Sequence, residues 1–458
     1  MKERESFGSR LGFLLVSAGC AIGIGNVWRF PYITGKYGGA VFVLFYLFFL
    51  FILGWPVMTM ELAVGRGSKL SAGAGMEKLA GRSNQKWGMF KYWAYIGNFV
   101  LMMFYTTVAG WMLSYVFEMA RGTFEGVSKK GAANIFGDLM NRPGYMIFWM
   151  VVAILLGFLA VARGLENGVE KVTKVMMILL FVLMTVLAVR SLFLEGGSEG
   201  LKFYLLPDVN RALDSGIWSV ISAAMGQAFF TLSVGIGSIS IFGSYIDKNH
   251  SLPKESMTII LLDTFVALMS GLIIFPACFA YNVKPDAGPS LIFVTLPEVF
   301  ERMPLGRVWG TMFFVFMCFA SMSTVIAVFE NLVTILMDDL GISRIKSVLI
   351  NLVAMIILSL PCPLGFSVLS NLQPLGKSST IMDLEDFIVS NNMLPIGCII
   401  FILFCTTRYG WGMKNFLAEA NEGRGVKMSE KLGWYLRFVL PVFVAILVVM
   451  GYFDVFGK

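Results

Sequence analysis

The chain of 458 residues contains one histidine, and only 14% of its residues are charged. His250 lies in the polar stretch DKNHSLPKES, so metal and acid–base chemistry lack their commonest side chain, and a solvated loop histidine is expected. The six cysteines, at 20, 278, 318, 362, 398 and 405, stand singly in or near apolar runs without any C-x-x-C. Neither a disulfide framework nor a zinc site is indicated. No Ser/His, paired-Asp or metal constellation points to an enzyme, and no organic cofactor is expected. The net charge of +7 carries no nucleic-acid signature, because the basic residues follow loop topology. No low-complexity segment or soluble domain interrupts the chain, and the charged start MKERESFGSR is expected to be retained rather than cleaved.

What fills the chain is apolar. Hydrophobic residues make up 57%, and the mean hydropathy is +0.76, which points to an all-α polytopic membrane protein. A helix needs about 20 apolar residues to cross the hydrocarbon core. Eleven spans are expected, at 11–33, 39–63, 90–120, 145–162, 168–193, 217–245, 257–283, 305–337, 345–360, 386–405 and 434–453. When alternate loops are assigned to alternate sides, 21 Lys and Arg fall on the N-terminal side and 13 on the other. The positive-inside bias then puts the N-terminus in the cytoplasm and the C-terminus, after eleven spans, outside. The expected organisation is a cytoplasmic segment 1–10, a first half 11–193, an outer connection 194–216, a second half 217–405, a cytoplasmic loop 406–433 and a last span with the C-terminus, 434–458.

Two spans are unlike the rest. In SAGCAIGIGNVWRFP, Gly19, Gly23 and Gly25 loosen the middle of span 1, Asn26 and Arg29 bring polarity into hydrocarbon, and Pro31 follows. FFTLSVGIGS repeats the Gly-Ile-Gly triplet in span 6. A lone Gly-x-Gly is also explained by close helix packing. Two of them, five spans apart and flanked by hydroxyl or amide residues, point instead to interrupted helices at matching places in two halves of opposite orientation. Unwinding frees carbonyls that can ligate a cation and creates helix ends that favour charges. A zwitterion accompanied by metal cations suits such a site. A channel would line a continuous path, whereas these polar groups cluster at two breaks.

At this point the motifs are recognisable. GNVWRFPYITGKYGGAVFVLFYLFFLFILGWPVMTMELAVGR resembles the span 1–span 2 signature of the neurotransmitter:sodium symporter family, and EKVTKVMM, GLKFYLLPD, GQAFFTLSVGIGSISIFGSY and IMDLEDFIVSNNMLP continue the likeness over essentially the whole chain. The resemblance implies a five-plus-five inverted-repeat fold with broken spans 1 and 6, plus an eleventh span. It also implies sodium-driven uptake of an amino acid through the plasma membrane of a bacterium, by a monomer or weak dimer. Position by position, it implies a first sodium site at Ala21, Asn26, Thr231 and Asp263. A second is implied at Gly19, Ile22, Ala320, Ser323 and Thr324. The hydroxyls of Ser323 and Thr324, in CFASMSTVIAVF, fit either a hard cation or back-bonding to their own helix. Substrate contacts are implied for Ala21, Gly23, Gly25, Leu101, Tyr105, Phe230, Thr231, Ser233, Ile236, Thr324 and Val328. Tyr105 would bond the substrate carboxylate and, with Phe230, close an aromatic lid. An apolar lining with Leu101, Ile236, Val325 and Val328 suits a neutral side chain, a hydrophobic one first, with a small amino acid such as glycine or alanine as the alternative.

The same likeness implies an outer gate of Arg29 with Asp386 and an inner gate of Arg4 with Asp338, supported by Phe7 and Tyr245. Arg29 needs a partner on physical grounds, since an arginine near the bilayer centre costs about 2.5–3.5 kcal/mol on insertion scales. Glu61, in MELAVGR, is expected to accept backbone N–H groups of broken span 6. Two departures stand out. Many bacterial relatives have a glycine in span 5 followed ten residues later by proline, which helps that span unwind; here Gly168 is followed at that distance by Ile178. Asp263 stands where many relatives have asparagine. Its charge would replace the anion that chloride-dependent relatives require, so one or two sodium ions are expected and chloride is not.

Overall fold

In the computed structural model, residues 5–81, 86–127, 129–283, 290–377 and 379–456 are described. Among them the structure is all-helical, with a single isolated β-bridge between His250 and Arg424. Nine helices are long and apolar enough to cross a membrane, and a tenth span is the bent pair Arg10–Ala21 and Gly25–Lys36, turned by 55°. The remaining span, the sixth, is likewise two pieces, Ile217–Leu232 and Ser238–Ser244. The described spans thus follow the expected order, with broken helices first and sixth, five apart and therefore oppositely directed. Edges differ by several residues. Span 7 begins at Leu252, because Pro253 is accommodated in its first turn. Span 10 begins at Ile381, where Thr380 and Asp383 form a capping box. Connections that carry no apolar periodicity still contain short helices, at Ala72–Ala80, Lys129–Met140, Gly197–Leu205 and Met413–Ala420.

Burial separates scaffold from core. In span 8, Gly306–Leu340, 83% of the most apolar window is buried inside the protein, against 22% in span 11, Glu430–Phe453. Span 11 therefore turns most of its apolar surface to lipid, while spans 1, 3, 6 and 8 enclose the centre. Short π-helical turns interrupt several spans, at Leu50–Gly54 in span 2, Leu165–Glu170 in span 5 and Ile388–Met393 in span 10. Each re-aims the helix that follows, and such turns recur at functional places.

Span 6 breaks because its backbone cannot stay helical between Leu232 and Ser238. Ser233 is left-handed at φ 51°, and Gly235 and Gly237 adopt φ 102° and 76°, which favour glycine. The loosened backbone needs hydrogen-bond partners in a medium without water. The carboxylate of Glu61, fully buried on span 2, accepts the Gly235 N–H, which bears out the role expected for this acid. The second half of span 6 then lies backbone to backbone on span 2. A β-carbon at Gly65 would overlap the Ser240 carbonyl, and one at Gly243 would overlap that of Leu62.

This close approach gives a test. Gly65→Ala is expected to destabilise the protein by about 1–3 kcal/mol through overpacking, read as a lower Tm in detergent. Gly137→Ala, in the helix Lys129–Met140 with nothing within 4 Å of the added methyl, is expected to leave Tm unchanged or raise it. Equal Tm values for both variants and the wild type would contradict the packing.

Candidate functional site: the two helix breaks

The first half of span 1 ends at Ala21. Ile22 turns to extended backbone at ψ 104°, and the helix resumes through a π-turn from Gly25 to Arg29. The groups this frees are taken up by side chains of span 1 itself and of spans 3 and 6. Gly23 N–H donates to Asn26 Oδ1 at 3.1 Å, Ile24 N–H to the Tyr105 hydroxyl at 3.0 Å, and Gln227 Nε2 donates to the Gly25 carbonyl at 2.8 Å. Gly23 leaves no room for a side chain, since a β-carbon would overlap the Tyr105 hydroxyl and approach Thr324 Oγ1 to 2.6 Å. Sequence reasoning had not singled out Gln227, although an amide in the apolar run GQAFF was a readable signal.

Five oxygens converge on one side of the break. Thr324 Oγ1 lies 3.2 Å from the Gly19 carbonyl, 3.1 Å from that of Ile22 and 3.5 Å from that of Ala320. Ser323 Oγ lies 3.4 Å from the Ile22 carbonyl and 2.9 Å from that of Ala320. Both alternatives read from the sequence are thus present in the geometry: each hydroxyl back-bonds to Ala320 and each also faces the open carbonyls of span 1. An all-oxygen donor set of this kind suits a hard monovalent cation. Gly19 itself packs closely on Thr173 of span 5 and Ser323.

On the other side of the break stands Asp263, fully buried on span 7. Asn26 Nδ2 donates to its Oδ1 at 2.8 Å and to its backbone carbonyl at 3.1 Å, and Thr231 Oγ1 donates to Oδ2 at 3.2 Å. Asn26, Thr231 and Asp263 are therefore brought together from three spans. A carboxylate this deep in hydrocarbon requires compensating charge or full hydrogen bonding.

Between these clusters lies a small enclosed cavity lined by Ala21, Gly23, Gly25, Leu101, Tyr105, Phe230, Ser233, Thr324 and Leu394. Eight of these nine are positions the sequence implied. Leu394 of span 10 is not, and nothing distinguishes it in sequence from the apolar residues around it. Ile236 and Val328 lie outside the lining: Ile236 packs against Gly97, with its carbonyl accepting from Asn98 Nδ2 at 2.9 Å, and Val328 is fully buried on span 8. Thr231 faces Asp263 instead of the cavity.

The two ends of the pathway differ. At the end away from the N-terminus, Arg29 and Asp386 are joined through Ser390, which receives Arg29 Nη1 at 3.4 Å and donates to Asp386 Oδ1 at 2.7 Å; no direct ion pair links them. The Arg29 guanidinium instead lies over the Phe230 ring, 4.1 Å from its centroid, which supplies the partner its position demanded. At the N-terminal end, Arg4 lies outside the described residues. Asp338 accepts the Ser71 N–H at 2.7 Å, and Phe7 packs edge-on against Tyr245 at 5.8 Å. The Tyr245 hydroxyl bonds Glu330 Oε1 at 2.8 Å. Glu330, fully buried, also pairs with Arg344 at 2.6 Å, which reaches Glu5 of the N-terminal segment at 2.9 Å. A second clamp joins the same segment to span 5, where Glu170 accepts Gly8 N–H at 2.7 Å and Ser9 Oγ at 2.9 Å. The sequence alone assigns no role to Glu330, Arg344 or Glu170, whose partners Tyr245, Glu5 and Gly8 lie far from them along the chain.

Comparison with known proteins agrees with this arrangement. The profile described as the sodium:neurotransmitter symporter family matches residues 4–125 and 129–456. An uncharacterized sodium-dependent transporter of Bacillus subtilis, YhdH, is 33% identical over 450 residues, covering 97% of this chain and 98% of its own length. The sodium-dependent serotonin transporter of Drosophila melanogaster is 25% identical over 510 residues, covering 100% of this chain and 78% of its own. The crystal structure of MhsT in complex with L-phenylalanine superposes with a TM-score of 0.87 at 35% identity, covering 98% of this chain and 100% of that one. Broken first and sixth spans around a polar centre, with a family match running through nearly every span, make this chain a member of the sodium:neurotransmitter symporter family.

Proposed function

We propose that the protein imports a neutral, hydrophobic L-amino acid together with one or two sodium ions by alternating access, from a bacterial cytoplasmic membrane in which its N-terminus faces the cytoplasm. The observation that carries this reading is the pairing of two oxygen clusters with one small cavity at the same helix breaks. The backbone at Gly23 and Gly25 and the Tyr105 hydroxyl, which accepts from Ile24 N–H and keeps its own proton to donate, suit the carboxylate of an amino acid, and the apolar side chains of Leu101, Phe230 and Leu394 suit an uncharged side chain. A phenylalanine complex of the superposable MhsT supports the same substrate class. The oxygens around Ala320, Ser323 and Thr324 would hold one sodium, and Asn26, Thr231 and Asp263, with the Ala21 carbonyl, the other.

Asp263 sets the charge balance. Two sodium ions bring two positive charges, while the ammonium and carboxylate of the substrate cancel. A resident aspartate supplies negative charge covalently, so transport proceeds without chloride. When sodium leaves, the buried carboxylate loses its compensating cation and takes up a proton. The empty carrier then returns with that proton, moving it outward. Protons outside compete with sodium for the same oxygens, so lower external pH weakens uptake.

Two experiments in proteoliposomes test this. With an inward sodium gradient, uptake of the best of the twenty amino acids is expected to be unchanged when gluconate replaces chloride, and to fall as external pH is lowered. Asp263→Asn is expected to lose the pH response. Uptake abolished in gluconate would refute the role of Asp263, and uptake equal in sodium and choline would refute the transport reading. Separately, Ser323→Ala with Thr324→Ala is expected to raise the sodium concentration for half-maximal substrate binding by about tenfold or more, each lost hydrogen-bonding ligand being worth about 1 kcal/mol, with Tm little changed. Unchanged sodium dependence would remove those hydroxyls from the second site.

A further inference from the structure

Leu394 is the one lining residue of the central cavity that no resemblance supplied, and three contacts hold it in place. Its own backbone lies so close to span 6 that a β-carbon on Gly235 would overlap the Leu394 carbonyl. One turn further on, Gly397 meets the Gly235 carbonyl with no room for a side chain. Directly before it, the Met393 carbonyl accepts the Trp93 indole N–H at 3.1 Å. The π-turn Ile388–Met393 ends immediately ahead of Leu394, and Pro395 follows in the first turn of the next helix, so the register of this position is set from both sides. The side chain is 2% exposed.

The cavity has two chemically distinct ends. Gly23, Gly25, the Tyr105 hydroxyl and the Thr324 hydroxyl form a polar end suited to the ammonium and carboxylate common to all amino acids. Leu101, Phe230 and Leu394 form the apolar part, where only the variable side chain can lie. Leu101 is borne by the regular helix of span 3, and Phe230 is engaged by the Arg29 guanidinium on its ring face. Leu394 alone comes from span 10 and is anchored to the unwound linker of span 6.

We propose that Leu394 is a specificity-determining residue, its side chain setting how large a substrate side chain the cavity accepts. This rests on the amino-acid transport reading above. Removing three carbons at a rigidly held wall opens space that surrounding backbone cannot refill, whereas an aromatic ring there takes up space that a bulky substrate needs.

The test is competition against sodium-driven uptake by alanine, valine, leucine, phenylalanine and tryptophan, in wild type, Leu394→Ala and Leu394→Phe. Leu394→Ala is expected to shift the tryptophan-to-alanine ratio of inhibition constants in favour of tryptophan by roughly tenfold, and Leu394→Phe to shift it the other way by a similar factor. Ratios unchanged within about twofold, or an equal loss for all five competitors, would overturn the proposal and leave Leu394 a packing residue. Should either variant fail to reach the membrane, Leu394→Val, one carbon smaller, carries the expectation of Leu394→Ala with a smaller shift, and Leu394→Met, of nearly equal volume, is expected to leave the ratios unchanged. Wild-type protein that takes up none of the twenty amino acids with sodium would instead overturn the transport reading itself.

Discussion

A backbone amide or carbonyl in the middle of a membrane must find a partner inside the protein. That constraint governs this molecule, because spans 1 and 6 both give up their helical hydrogen bonds at mid-membrane. The groups released are claimed individually: Gly25 by Gln227, Gly235 by Glu61, Ile24 by Tyr105, and the carbonyls of Gly19 and Ile22 by Thr324. Spans 2, 3, 6 and 8 are held around the breaks by these bonds as much as by apolar packing. The arrangement leaves several carbonyl oxygens with unused lone pairs and one carboxylate without a fixed counter-charge. Both are costly in a resting protein and useful in one whose cargo is a cation.

The surroundings of the breaks differ in a way that suits alternating exposure. Away from the N-terminal end, Arg29 is held by a ring face and a 3.4 Å hydroxyl contact, with Asp386 reached only through Ser390. Toward the N-terminal end, the segment before span 1 is held by Glu170 on span 5 and by Arg344 through Glu5, and the first residue of span 1, Arg10, pairs with Glu255 of span 7 at 2.9 Å. In the proposed alternating access, opening that end would exchange these polar bonds for water. Gly12 permits the close approach of Glu170, since a β-carbon there would overlap its carboxylate. Span 5 begins with a π-turn and runs as a regular helix through Ile178, so its irregularity lies at its start and not in its middle.

Much of this was legible in the sequence, for physical reasons that vary by residue. Spans were readable because about 20 apolar residues in a row have few other uses. The breaks were readable because glycine, asparagine and arginine are expensive in mid-membrane helices. Asp263, Glu61, Ser323 and Thr324 announced themselves as polar groups in apolar runs. What stayed hidden depended on tertiary contact. Leu394 is an apolar residue among apolar residues, and only the fold turns it into the cavity. Ile236 has the right sequence position for the cavity but packs against Gly97. Glu330 and Arg344 are separated by a helix end, and Glu170 by most of the first half from the segment it clamps. Arg29 meets Asp386 only through Ser390 and lies over the Phe230 ring, an arrangement that only the fold discloses.

The account stands or falls on whether cation and amino acid occupy the breaks together. Its most direct test is equilibrium binding of a labelled amino acid to the purified protein in detergent, titrated with sodium and, separately, with potassium at equal ionic strength. The account predicts binding that rises steeply with sodium and is absent in potassium. Binding of equal affinity in both salts would contradict it.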